Sequence, residues 1–273
     1  MKISIIIPNY NGSSFIAETI RGFLCGFKES SIVVVDDASK DDSVRVIRAL
    51  PYKNIHLIAK EKNGGFASSV NAGILYCLGN DQDFVLIANS DIEVSPENCS
   101  SIIKKFDVFE DKSVAVLGFK ETGDNLIREG ENISGFLFAL RLGVLEQSGY
   151  LDETYYMYGE EQDFFRRLLN LGFKIKQTGV VIEHKCEMSG DSSDLNSWFA
   201  IRNSIYLEVK SKNYILIFRK LIIIFLIINK LYRNTSNDPS IKRLRRLGFL
   251  KGNVLLLKSI IWNYGKLKLN VKS

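Results

Sequence analysis

Five short clusters in this chain set acidic, amide or imidazole side chains beside apolar runs, where a folded cleft would use them. Asp36-Asp37-Ala38-Ser39-Lys40-Asp41 closes the run that begins at Ser31. Paired carboxylates there can accept hydrogen bonds from a base edge and a ribose hydroxyl, although Ser39 and Asp41 suit a helix cap equally well. Asn89-Ser90-Asp91 closes another run. A carboxylate at such an end, inside a phosphate-binding cleft, suits a hard cation such as Mg²⁺ or Mn²⁺, while Asn-Ser-Asp is also ordinary turn composition. Asn63-Gly64-Gly65-Phe66 precedes a helical pattern carrying Asn71 and Gly73. Two glycines before a helix N-terminus permit close backbone approach to a phosphate; a plain turn is the alternative.

The other two clusters lie later. Glu160-Glu161-Gln162-Asp163 opens a helix, where the helix dipole favours negative charge in any case. Asp163 has Arg166 and Arg167 three and four residues on and so has a simple ion-pair explanation. Glu161 points about 100° from Glu160 and has no basic residue one turn later. A carboxylate so placed, next to the aromatic loop Tyr155-Tyr156-Met157-Tyr158, is a general-base candidate. His184, one of two histidines, ends the apolar run Val180-Val181-Ile182. A lone histidine is more often structural, but a strand end favours a ligand's role. His56 sits inside a strand pattern and receives no role.

The elements that must position these groups alternate in the manner of an α/β fold. Lys2–Pro8, Ser31–Asp36, Ile55–Lys60, Phe84–Asn89 and Ser113–Gly118 are short, β-branched strand patterns. Helical patterns lie between them at about Ser14–Leu24, Asp42–Leu50, Ala67–Leu78 and Pro96–Phe109. Runs this apolar suit an open, mostly parallel, Rossmann-like sheet flanked by helices on both faces. Ligands of such sheets sit beyond the carboxyl ends of the strands. Pro8-Asn9-Tyr10-Asn11, Asp36-Asp37 and Asn89-Ser90-Asp91 are therefore expected to converge on one cleft. Residues 119–150 are less regular and rich in glycine.

The chain has 273 residues and a net charge of +5, which conceals an asymmetry. From Ser204 onward there are fifteen Lys/Arg and only Glu208 and Asp238 as acids, a net +13 against −8 for the rest. An acidic body with a basic tail points to an anionic partner for the tail. Tyr214–Ile228 is too short and too charged to span a bilayer. Drawn as a helix, it sets Lys212, Arg219, Lys230 and Arg233 together, opposite Ile217, Phe218, Leu221, Ile224, Phe225 and Ile228. That suits an interfacial helix on anionic lipid, or a helix packed on the catalytic domain. No nucleic-acid-binding motif accompanies the charge, so nucleic acid is not the expected partner. Cys25, Cys77, Cys99 and Cys186 form no C-x-x-C pair, which suits a reducing compartment. Ile5-Ile6-Ile7 is too short for a signal core. The expected location is cytoplasmic, peripheral on the inner face of the membrane.

Together the clusters resemble glycosyltransferase family 2, an inverting family with the GT-A fold. The resemblance covers about residues 2–210. It rests on Ile-Ile-Ile-Pro-Asn-Tyr-Asn-Gly (5–12), Val-Val-Asp-Asp-Ala-Ser (34–39), Asn-Gly-Gly-Phe-Ala (63–67) with Asn71, and Asn-Ser-Asp (89–91). It continues through Gly135, Gly149-Tyr150-Leu151-Asp152-Glu153, the acidic helix at 158–167, His184 and Arg202-Asn203. The resemblance implies a donor pocket of Pro8, Tyr10, Asn11, Asp36, Asp37, Asn63, Gly65, Asn71, Asn89 and Ser90. It implies Asp91 and His184 at a divalent cation, and Glu161 as base with Asp163 as the alternative. It further implies a nucleotide-sugar donor and a saccharide or lipid-linked acceptor in surface polysaccharide assembly.

Two positions depart from the family pattern. Asn89 replaces the first metal carboxylate, as in a rhamnosyltransferase-like branch, and Glu161 replaces the usual aspartate. A catalytically inactive nucleotide-sugar-binding relative is therefore an alternative. A sugar nucleotidyltransferase would need a Gly-rich basic loop after the first strand, and a dinucleotide oxidoreductase would need G-x-G-x-x-G. Asn9-Tyr10-Asn11-Gly12 is neither. The expected organisation is a catalytic domain over 1–210, its nucleotide half ending near 118, followed by a basic helical tail over 211–273.

Overall fold

The computed structural model describes residues 2–123, 130, 133–185, 194–228 and 249–270. The chain forms two compact units. One comprises residues 1–156 and 160–188, and the other 157–159 and 189–273.

The first unit is an α/β sheet with helices on both faces. Its strands are β1 (Ile3–Asn9), β2 (Ser31–Asp36), β3 (Ile55–Ala59), β4 (Phe84–Ala88), β5 (Ile92–Glu93), β6 (Val114–Glu121), β7 (Leu137–Arg141) and β8 (Lys174–His184), in the order β3-β2-β1-β4-β7-β6-β8-β5. The pairs β1–β2, β1–β4, β2–β3 and β6–β8 are parallel. The pairs of β4 and β6 with β7, and of β5 with β8, are antiparallel. Each β-branched run of the first ninety residues forms a parallel strand, since crossover helices α1 (Ile16–Gly26), α2 (Ser43–Arg48) and α3 (Gly65–Gly79) separate them. Along β1 the side chains alternate. Ile5 and Ile7 enter a core with Ile16, Ile20 and Phe23, and Ile6 enters the opposite core with Val70 and Ile74.

Strands β5 and β7 are additions to the sequence reading. The five residues of β7 are bracketed by glycines rather than by helical crossovers, so the antiparallel return leaves no alternating βα signature. Helix α4 (Pro96–Lys105) is fixed at its start by a reciprocal capping box between Ser95 and Asn98, and the chain continues as a 3₁₀ turn over Phe106–Glu110. A short α5 (Leu145–Ser148) and the acidic helix α6 (Glu160–Asn170) complete the unit. Helix α6 buries Phe164, Phe165 and Leu168, and Phe138 of β7 meets Phe165 edge-on at 5.2 Å.

The second unit holds α7 (Asp194–Lys210), α8 (Tyr214–Ile228) and α9 (Phe249–Asn270). Helix α7 packs on both others, so the compact units divide at 188 and 189, ahead of the composition change at 204–210. Arg202 is buried with its guanidinium over Trp262 at 4.4 Å and over Phe199 at 4.7 Å. Lys220 closes on buried Glu208 at 2.7 Å. On α8, Ile224 and Ile227 face inward, whereas Phe218 and Phe225 face solvent, so the helix is apolar on two sides rather than one. Lys230 and Arg233 lie outside the described residues, as does Cys186; Cys25, Cys77 and Cys99 are free thiols.

The crossing of α3 with the loop before α6 depends on one glycine. Gly65 has φ +84°, and a Cβ there would stand 2.1 Å from the Tyr156 carbonyl oxygen. We expect Gly65→Ala to cost about 1–3 kcal/mol from backbone strain alone. Gly79→Ala, where a Cβ meets nothing within 4 Å, should be neutral or stabilising by up to about 1 kcal/mol. Urea denaturation of both variants checks the contrast.

Candidate active site

The carboxyl ends of β1, β2 and β4 bring their polar groups to the same edge of the sheet, as parallel neighbours in register must. Asn9 pairs with Asp36 across β1 and β2. Asp36 is buried and accepts from Ser39 N at 2.9 Å, Ser39 Oγ at 2.6 Å and Asn9 Nδ2 at 2.8 Å. Ser39 Oγ in turn accepts from Asn11 N, and Asn11 Oδ1 accepts from Lys40 N, both at 2.8 Å. Asp36 and Asn11 therefore interlock the first two strand-end loops. Ala38 and Asn11 both hold positive φ, at 61° and 52°, which such tight reversals demand.

Asp37 fastens a third loop. Its Oδ1 lies 2.6 Å from Lys60 Nζ and accepts from Gly64 N at 2.9 Å, and its Oδ2 accepts from Gly65 N at 2.7 Å. An ionised carboxylate has about four acceptor directions, so three are taken. Asn63 Oδ1 accepts from the Tyr156 hydroxyl at 2.6 Å. Burial, followed by the charges of Asp37 and Tyr10, raises that hydroxyl above its ordinary pKa. Pro8 and Tyr10, at the end of β1, are half-buried. Lys60 and Tyr156 were not singled out in the sequence, though both sit in stretches that were: the end of a strand pattern and the aromatic loop.

Asn71 has a different place from the donor-facing one expected of it. Its side chain is buried and fully engaged, accepting from Leu151 N at 3.1 Å and donating to Leu151 O and Glu153 Oε1 at 2.9 Å. It ties α3 to the loop at 151–153. Phe66 N adds a bond to Tyr156 O at 2.8 Å. In the second unit, Asn203 Nδ2 donates to Met157 O at 2.7 Å and Tyr158 O at 2.8 Å, fixing a segment where Tyr158 and Gly159 both have positive φ.

The second pole forms where β5 pairs with β8, Ile92 opposite His184. His184 lies between two carboxylates, with Nε2 3.1 Å from Asp91 Oδ1 and Nδ1 3.0 Å from Glu121 Oε1. Asn89 Nδ2 lies 3.3 Å from the same Nε2, and Phe136 stacks on the ring at 5.3 Å. Asp91 is buried, and the Ser90 carbonyl is held by Thr19 Oγ1 at 2.7 Å. Burial pulls the His184 pKa down, but the hydrogen bonds and charges of Asp91 and Glu121 outweigh it and raise the value to about 9. Glu121, at the end of β6, carried no signal in the sequence.

A carboxylate oxygen and an imidazole nitrogen make a donor set suited to a divalent cation of the Mn²⁺ type. A second carboxylate on the far ring nitrogen is the usual support for such a ligand. Among the described residues no set of three His, Cys, Asp or Glu side chains forms a self-contained cation site. Asp91 and His184 would thus hold a cation jointly with an anionic ligand.

The acidic helix supplies the third group. Glu160 is buried, and burial, followed by the neighbouring charge of Glu161, pushes its pKa well above the usual carboxylate value. Glu161 beside it is half-buried. Gly135 makes room for it, since a Cβ there would stand 2.8 Å from Glu161 Cγ. Asp163 is buried, bonded to Arg167 Nε at 3.0 Å and 3.5 Å from the Tyr155 hydroxyl. Arg166 is not the residue paired with it in these bonds; Arg167 is.

A model of Glycosyl transferase family 2 matches residues 4–175. The chain belongs to this family. Its relatives include the low-salt glycan biosynthesis hexosyltransferase Agl10 of Haloferax volcanii, 24% identical over 66% of this chain and 65% of the relative. A glycosyltransferase of Rickettsia prowazekii is 40% identical over 26% of this chain and 22% of its own length. The chain thus spans less than two thirds of either relative. The fold is shared with a Pyrobaculum calidifontis mannosyltransferase in complex with GDP-Man and Mn²⁺, at TM-score 0.63 and 15% identity over 99% of this family 2 chain and 79% of that one. It is shared too with S. aureus TarS in complex with UDP-GlcNAc, at TM-score 0.57 and 18% identity over 95% and 72%. These likenesses establish the GT-A fold.

The His184 pair has a measurable consequence. With a folded pKa of about 9 against about 6.5 for a free histidine, its contribution to stability is full below pH 6.5 and is lost as pH rises toward 9. The melting-temperature gap between the wild type and His184→Asn, measured without added metal, should therefore shrink steadily from pH 6 to pH 9.5. A gap independent of pH contradicts the bridged imidazolium.

Proposed function

We propose that this family 2 chain transfers a sugar from a nucleotide-sugar donor to a hydroxyl of a saccharide or lipid-linked saccharide, with inversion at the anomeric carbon. The observation that carries the reading is the placement of a strand-end carboxylate–histidine pair, Asp91 with His184, in the same unit as a base candidate, Glu161, and the Asp37-bound nucleoside-side loops. Relatives and structural neighbours bearing glycosyltransferase names, two of them in complex with nucleotide sugars, agree with it.

In this reading Pro8, Tyr10, Asn11, Asp36, Asp37, Asn63 and Gly65 form or support the nucleoside side. Asn89, Ser90, Asp91 and His184 serve the diphosphate side. A divalent cation, when bound, neutralises charge that builds on the departing nucleoside diphosphate. Glu161 takes the proton of the acceptor hydroxyl as its oxygen bonds to the anomeric carbon and the bond from that carbon to the diphosphate oxygen breaks. Glu160, whose pKa burial raises well above the usual carboxylate value, adds less negative charge beside the base than an ordinary carboxylate would. One catalytic carboxylate suffices because the displacement is single, unlike the two required by glycosidases. The donor reading extends to a hexosyl or rhamnosyl group, the latter from Asn89, and the setting to cytoplasmic assembly of surface polysaccharide.

Three substitutions test these roles. Glu161→Gln should reduce transfer by roughly 10²–10⁴ while leaving donor affinity intact. Asp163→Asn should instead lower the melting temperature: Asp163 is buried but its partner Arg167 is partly exposed, so the loss should lie between the roughly 1 kcal/mol of an exposed pair and the roughly 3 kcal/mol of a buried one. Loss of transfer in a well-folded Asp163→Asn with an active Glu161→Gln would move the base to Asp163. Asp91→Ala should abolish the Mn²⁺-dependent part of nucleoside diphosphate affinity by calorimetry. Unchanged metal dependence would remove Asp91 from the site.

A further inference from the structure

Ten of the eighteen large apolar side chains exposed among the described residues lie on α8 and α9. They are not scattered. On α8, Ile215, Phe218, Ile222 and Phe225 share an arc of roughly 100°, and Ile215 and Phe218 are 76% and 65% exposed. The opposite side of the same helix is already satisfied, because Ile224 and Ile227 are buried. On α9, Val254, Leu257, Ile261 and Tyr264 form a comparable arc, with Leu255 and Leu256 turned inward. Among the described residues, this pair of helices has buried one apolar face and still exposes apolar side chains on another.

Charge identifies the cover. At 100° per residue, exposed Arg219 lies about 40° beyond the edge of the α8 arc and exposed Lys258 about 40° beyond that of α9, and exposed Lys212 sits in the turn just before α8. From Ser204 onward the chain carries a net +13, and Glu208, one of its two acids, is buried against Lys220. A second copy would set two such tails against each other, which like charge opposes. Neither helix is long and apolar enough to cross a bilayer. We propose that α8 and α9 lie in the plane of an anionic lipid surface, their outward arcs inserted among the acyl chains and their flanking lysines and arginine at the phosphates. The site differs from the active site, and binding requires no sugar transfer, so the proposal stands or falls independently of the catalytic reading.

The test is flotation of the full chain with vesicles of phosphatidylcholine alone, or phosphatidylcholine mixed with phosphatidylglycerol. The expected result is flotation with the anionic vesicles and roughly tenfold less with the neutral ones. Ile215→Glu, Phe218→Glu, Leu257→Glu and Ile261→Glu combined should remove it by a similar factor with an unchanged melting temperature. Should that variant not fold, Phe218→Ser with Ile261→Ser should give a partial loss. Wild-type protein that stays with the pellet, or variants that float as well as wild type, would overturn the proposal. So would sedimentation showing a self-associated species that these substitutions dissociate.

Discussion

The arrangement at the cleft depends on one buried carboxylate. Asp37 stands at the end of β2 and binds Lys60 and the amides of Gly64 and Gly65. Lys60 matches its charge, and the two amides use lone pairs that burial would otherwise strand. The loop so held presents Gly65 and Phe66 to the Tyr156 carbonyl, and Asn63 to the Tyr156 hydroxyl. Tyr156 ends the segment that leads into α6. Thus a contact at the nucleoside side fixes the chain a few residues ahead of the base candidate, and Asn71 fastens the same segment through Leu151 and Glu153.

Negative charge is handled differently at each pole. At the ends of β1 and β2, Asp36 is satisfied by hydroxyl and amide donors and Asp37 by an ammonium. Where β5 meets β8, Asp91 and Glu121 share one imidazole. At α6, burial and then the charge of Glu161 push the Glu160 pKa well above the usual carboxylate value. On the proposed reading an anionic donor gains from this restraint, since an excess of carboxylate charge would repel its diphosphate. Asn89 fits the same logic, being neutral where it approaches His184.

Much of this was legible in the chain. The β-branched runs ending at Asp36 and Asn89 gave the parallel strands, and the motif order gave the family. The roles of individual polar residues were less legible, because identical residue types serve ligands and loops. Asn71 shows it: its side chain is taken by Leu151 and Glu153, 80 and 82 residues on, and no local pattern records that. Glu121 was invisible for the same reason, its partner lying 63 residues on. Strand β7 escaped because an antiparallel return leaves no crossover helix. The pattern on α8 left the packed side open, since a helix apolar on two sides does not announce which side packs.

The central claim is that the ends of β1, β2 and β4 form the donor site. Hydrogen exchange read by mass spectrometry, with UDP, GDP or dTDP added together with Mn²⁺, tests it most directly. The account requires that at least one nucleotide slows exchange at residues 9–12, 36–39, 63–66 and 89–91 together, without protecting α4 or the edge of β3. Protection by none of the three, or protection confined to peptides away from those strand ends, would contradict it.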